Sequence, residues 1–151
     1  MWIQIHGLPL DRMTKSNAIR IGNSIGKVLE VEYNAALGVC CTKFLRVKVN
    51  IDAHKPLQPG FLLPRSGQDP VWIQYRYERL SDFCYRCGLL GHVMANCNQR
   101  LDRPEGANRL GPLMKADSVD VRRFYASSRE EGSIPIVEKA IGRAFIGLWD
   151  I

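Results

Sequence analysis

Hydrophobic and polar positions alternate over residues 2–6: Ile3 and Ile5 face one way, and Trp2, Gln4 and His6 face the other. A period of two predicts a half-buried strand, and Gly7-Leu8-Pro9 closes it. Over 12–25 the period lengthens. Ala18, Ile21, Gly22 and Ile25 fall at helical intervals and Gly26 ends the run, which predicts one short amphipathic helix. Alternation returns over 27–33, with Leu29, Val31 and Tyr33 opposite Val28, Glu30 and Glu32. It is clearest over 43–51, where Leu45, Val47, Val49 and Ile51 face away from Phe44, Arg46, Lys48 and Asn50. Residues 55–60, with two prolines, predict a turn, and 61–64 a short edge strand. A last strand is predicted over 71–78, with Val71, Ile73, Tyr75 and Tyr77 opposite Trp72, Gln74, Arg76 and Glu78.

A strand, a helix and then several strands make an α+β unit over residues 1–80. The simplest architecture is a mostly antiparallel sheet with one helix on its apolar face, part of a ferredoxin-like or RNA-recognition-type sandwich. Residues 100–133 are rich in Arg, Asp, Ser, Gly and Pro without periodicity and read as a linker, so the C-terminal segment is expected to be partly disordered. Over 134–151 a pattern recovers: Val137, Ala140, Ile141, Ala144, Phe145 and Leu148 sit at helical intervals and Pro135 suits a first turn. Gly142 and Gly147 weaken that amphipathic helix, by about 1 kcal/mol each relative to alanine.

Between the sheet and the linker, over 81–99, lies the segment that carries chemistry. Cys84, Cys87, His92 and Cys97 are spaced C-x2-C-x4-H-x4-C. Three soft sulfurs and one imidazole are what a tetrahedral zinc ion needs. The fourteen residues from Cys84 to Cys97 are too few to bury a core, so the segment folds only around its metal. Gly88 and Gly91 support this, because a chain wrapped tightly round one ion needs positive φ.

The spacing resembles the zinc knuckle of retroviral and retrotransposon nucleocapsid proteins. The approach Trp72-Ile73-Gln74-Tyr75-Arg76-Tyr77-Glu78-Arg79-Leu80-Ser81-Asp82-Phe83 is similar to that of a large plant family of zinc-knuckle proteins derived from LINE-type retrotransposons, with a domain of unknown function upstream. The segments at 2–10, 21–29 and 44–49 resemble the same family, and 109–116 carries its last, weaker trace. The resemblance implies a further stretch ahead of Trp2. On that basis the 1–80 domain is expected to be an N-terminally truncated copy with an unpaired sheet edge.

Three thiolates and a histidine fill the zinc tetrahedron, which leaves no position for an activated water and argues against hydrolysis at the metal. The filled site is net negative, so nucleic-acid affinity has to come from its surroundings. Tyr85, where the knuckle family places an aromatic, forms with Val93 and Met94 a small apolar platform for an unpaired base. The resemblance implies guanine. Arg86 is the one cation inside the fourteen residues, so phosphates fall to neighbours such as Arg76, Arg79, Arg100 and Arg103. Leu89 and Leu90 are expected to pack the knuckle on the sheet. The outward sheet face, with Phe44, Arg46, Lys48, Trp72 and Arg76, is a second candidate platform for a single strand.

Charge agrees with a polyanionic partner. Lys+Arg total 21 against 15 Asp+Glu, a net charge of +6, and the excess sits before the knuckle, where residues 1–80 hold eleven basic and six acidic side chains. The adjacent pair Cys40 and Cys41 is too close for a relaxed disulfide, and no apolar run reaches membrane-spanning length. A reducing compartment, nucleus or cytoplasm, is expected. Catalytic carboxylate pairs, a phosphate-binding glycine loop and a Ser/His/Asp signature are all missing from the sequence. The expected function is therefore zinc-dependent binding of single-stranded RNA or DNA, with no enzymatic activity, small-molecule substrate or membrane. The alternative is a module in which the knuckle and C-terminal helix bind a protein partner or a second copy.

Overall fold

A computed structural model describes residues 1–32, 43–99 and 109–116. Tyr33, the Cys40/Cys41 pair, Arg100, Arg103, most of the expected linker and the expected helix over 134–151 lie outside the described residues.

Every strand expected from alternation is present: β1 Trp2–His6, β2 Lys27–Val31, β3 Leu45–Asn50, β4 Gly60–Arg65 and β5 Gln68–Tyr77. A single α-helix among the described residues, α1 Lys15–Ile25, follows a 3-10 turn at Leu10–Arg12. Its start is set by Thr14, whose hydroxyl accepts from the Asn17 N–H at 3.2 Å. The strands form one antiparallel sheet in the order β2-β3-β1-β5-β4. Because β3 lies between β1 and β2 and opposes both, β1-α1-β2 is a split βαβ unit, the first half of the expected sandwich. The second half departs from it. Beyond β1 a hairpin, β4–β5, takes the place of a second helix and strand.

The strand pleat divides the sheet cleanly. Ile3, Ile5, Leu45, Val47, Val49, Phe61, Leu63, Ile73, Tyr75 and Tyr77 are buried and belong to one core. Each such aliphatic side chain contributes about 1.5–3 kcal/mol through burial. The helix adds Ala18, Ile21 and Gly22 against β2 and β3. Gly22 is needed there, since a Cβ would stand 2.5 Å from the Val28 side chain. The core is completed by Leu8, Met13, Leu57, Leu80, Phe83 and Met114, so loops and the root of the knuckle supply the cover that a second helix would give.

Two expectations need correction. Leu29 was placed on the same face as Val31 by alternation, yet it is 57% exposed. A bulge between Val28 and Glu30 shifts the β2–β3 register, so Val28 and Val31 pack on the core and Leu29 turns out. The second concerns 109–116, read as linker. This strap folds onto the sheet: a 3-10 turn at Pro112–Met114 buries Met114 completely, and the Ala116 N–H donates to Tyr77 O at 3.1 Å along the part of β5 that β4 does not cover.

Candidate metal centre and nucleic-acid interface

The knuckle begins at a sharp bend. Arg79, with φ 52°, is a non-glycine residue in the left-handed region and redirects the chain out of β5. Phe83 then bridges Leu90 in antiparallel fashion, the Cys84 N–H donates to Leu89 O at 2.9 Å, and Gly88 N–H returns to Cys84 O at 2.8 Å. Gly88 and Gly91, at φ 79° and 93°, make the two turns of this ribbon, as their sequence positions indicated. A 3-10 turn at Met94–Asn96 brings Cys97 back.

The donor atoms of Cys84, Cys87, His92 and Cys97 all lie within 4.8 Å of one another. Cys87 Sγ and His92 Nε2 are 3.3 Å apart, which presents Nε2 as the imidazole donor. Donors on a zinc tetrahedron with arms of about 2.3 Å stand ~3.8 Å apart, so this set fits zinc after slight contraction. Cys84 and Cys87 are buried, whereas His92 and Cys97 are partly open. Burial pushes the Cys84 thiol up, but hydrogen bonds from the backbone N–H groups of Cys87 and Arg86, together with those from the Cys97 and Cys87 side chains, bring it down to about 7. The Arg86 N–H lies 3.4 Å from the sulfur. Such donors favour the thiolate that a metal requires.

The knuckle is fastened to the sheet domain. Gly88 O accepts from the Leu57 N–H at 2.8 Å, and a Cβ on Gly88 would stand 3.2 Å from Pro56 and 3.3 Å from Leu110. Phe83 is core, and Tyr85 and Leu90 pack against it, which meets the packing expectation for Leu90. Tyr85 meets Phe83 edge-on, ring centroids 4.9 Å apart. The ring expected to stack on a base is thus partly committed to the interior. What the knuckle presents to solvent is Val93 (41% exposed) and Met94 (50% exposed), with Arg86 also exposed.

The other expected site residues divide. Arg79 is exposed at the bend. Arg46 donates to both oxygens of Glu78, at 2.7 and 2.8 Å, and lies 3.5 Å from Glu32. That contact holds Glu78 below the usual carboxylate range and raises Arg46. Lys48 stands 3.8 Å from Glu30. Both cations lie over the Trp2 ring, at 4.1 and 5.7 Å. Trp72 carries the guanidinium of Arg109 at 4.0 Å, and Arg76 sits across from Gln4 on the same face. Trp2 and His6 were not among the expected site residues, although their outward alternation marks them. Nothing in the sequence marks Arg109.

His6 yields a pH prediction. Its Nε2 meets Gln4 Oε1 at 2.9 Å and its ring packs on Phe44. Burial, then the nearby Arg76, lowers its pKa from 6.5 to about 4. The folded state therefore resists protonation that the unfolded chain accepts. Stability from neutral His6 is fully present above pH 6.5 and is lost as the pH falls towards 4. A His6→Gln variant should show a flatter loss of stability across that window than the parent in paired urea titrations; identical slopes would contradict it.

Residues 51–99 match the family described as Zinc knuckle. With the donor geometry, this identifies the segment as a zinc-binding knuckle of CCHC type. Over 104 residues the chain is 23% identical to an uncharacterized protein of Arabidopsis thaliana; the match takes in 69% of this chain and 33% of the relative, so the chain spans about a third of that protein's length. No solved structure matches. Among the described residues, no helix is long and apolar enough to cross a membrane.

Proposed function

We propose that this protein binds single-stranded RNA or DNA through its zinc-held knuckle, that it is a plant protein descended from a LINE-type retrotransposon, and that it acts in the nucleus or cytoplasm without catalysing a reaction. The observation that carries the binding reading is that Val93, Met94 and Arg86 are all exposed on the metal-binding knuckle. Two neighbouring apolar side chains on so small a loop are an unfavourable solvent surface unless something covers them. An unpaired base does so, and stacking contributes about 1–3 kcal/mol per base. Arg86 and Arg79, both exposed, take flanking phosphates in this reading, and the half-buried Tyr85 borders the platform. Zinc, when bound, supplies structure: the four ligands hold the loop, and the platform side chains contact the base.

The second reading, a protein-binding knuckle aided by the segment over 134–151, draws on the same exposed apolar pair. Salt separates the two. Single-strand binding loses affinity with a log–log slope of about −0.7 per neutralised phosphate, whereas an apolar protein contact is nearly salt-independent. A Val93→Ser/Met94→Ser variant should keep its zinc and lose about tenfold in oligonucleotide affinity. Unchanged affinity in that variant would remove the platform from the mechanism.

A further inference from the structure

The outer face of the sheet has two unlike ends. Around Trp2 its charges satisfy one another: Arg46 is held by Glu78 and Glu32, and Lys48 by Glu30. A phosphate arriving there meets three carboxylates and cations already engaged. The opposite end is built differently. His6 and Phe44 lie ring against ring at 4.7 Å, and Trp72 carries Arg109. Between them Gln74 is buried, its amide donating to Leu113 O at 3.1 Å. The β1–β5 register puts His6 beside Gln74 and Gln4 beside Arg76, so Arg76 borders this aromatic row. Its Nε is buried and has no hydrogen-bond partner among the described residues. Neither Arg76 nor Arg109 forms an ion pair with an acid among those residues.

This end also leads to the knuckle. Arg109 is followed by Leu110, which stands beside Gly88 of the zinc ribbon. One strap therefore joins the Trp72 stack to the metal site.

We infer that Phe44, His6, Trp72, Arg76 and Arg109 form a second contact surface for the strand held by the knuckle. Arg76 and Arg109 receive phosphates, and bases extend the Trp72–Arg109 stack or lie against the Phe44–His6 pair. The strand runs from Val93 and Met94 along the strap to this end of the sheet and avoids the Trp2 end, where carboxylates repel it. The inference rests on the single-strand reading above and adds a path to it. Charge complementarity and aromatic faces select nucleic acid over an apolar polypeptide.

The test uses the full chain loaded with zinc and labelled single-stranded RNA and DNA oligomers that carry unpaired guanines, with affinity followed over a salt series. Arg76→Gln and Arg109→Gln should each weaken binding about 3–10-fold and make the log–log salt slope shallower by about 0.7, with zinc content unchanged. Arg76→Lys should restore the slope, and Lys48→Gln at the ion-paired end should change it less. If both glutamine variants bind with parental affinity and slope while Val93→Ser/Met94→Ser is still impaired, the sheet surface is wrong and the knuckle reading stands. If the parent binds neither oligomer, both fall. Arg76-dependent binding of polyglutamate without oligomer binding would assign the surface to an acidic protein and overturn the inference.

Discussion

Cys84→Ser should lose zinc and weaken the whole domain as well as the knuckle. Structural zinc in modules of this size supplies roughly 10–16 kcal/mol of apparent binding free energy at neutral pH, most of which goes into folding them. Cys84 is fully buried and its sulfur faces three other donors within 4.8 Å, so a serine hydroxyl cannot replace the thiolate. The consequences spread because the ribbon is tied to the core. Once it opens, the Leu57–Gly88 hydrogen bond is lost, Leu110 loses a neighbour, and Phe83 leaves a site where it is 3% exposed. Exposing Phe83 alone costs about 1.5–3 kcal/mol. The variant should retain well under one zinc per chain by elemental analysis and melt earlier, and chelator should reproduce the earlier melt in the parent. A variant with full zinc content would remove Cys84 from the ligand set, and a melt that ignores chelator would show that the knuckle and sheet are energetically separate.

Gly60→Ala should be the most damaging single methyl in the sheet. Gly60 opens β4 opposite Gln74 with φ 150°, and a Cβ there would lie 2.0 Å from Ile73 O and 2.8 Å from the Trp72 ring. The obstacle is backbone, so a rotamer change cannot relieve it; β4 and β5 must part at that point. Overpacking and backbone strain together cost on the order of 2–5 kcal/mol. For a folded region near 100 residues that lowers Tm by about 10–20 °C. Gly67→Ala is the control: it shares a positive φ, 66°, but has nothing within 4 Å, so its loss should be the smaller. Equal losses at the two positions would mean that strain alone, and not the Ile73 carbonyl, sets the effect.

The four zinc donors and both knuckle glycines were legible because the metal imposes spacing on adjacent sequence. The sheet was legible wherever one face is buried, since Leu45, Val47 and Val49 can alternate only one way. The failures share a cause, which is contact between residues distant in sequence. Leu29 was misassigned because one bulge inverts the pattern and leaves no local mark. β5 begins at Gln68, yet Pro70 in its first half argues against a paired strand by propensity. Arg46 read as part of the open sheet platform, and its pairing with Glu78, 32 residues away, left no mark in the sequence. Tyr85 read as part of the base platform, and its edge-on contact with Phe83, two residues earlier, was not foreseen. The strap at 109–116 has no periodicity because its structure comes from the β5 edge and the knuckle it bridges.

The most direct measurement is fluorescence anisotropy of a labelled single-stranded oligonucleotide titrated with the full chain, before and after a zinc chelator, with metal content determined on the same samples. One zinc per chain, salt-sensitive binding that chelation abolishes and added zinc restores is the expected result. Binding that survives complete removal of the metal, or a metal-loaded chain that leaves every single strand free, would contradict it.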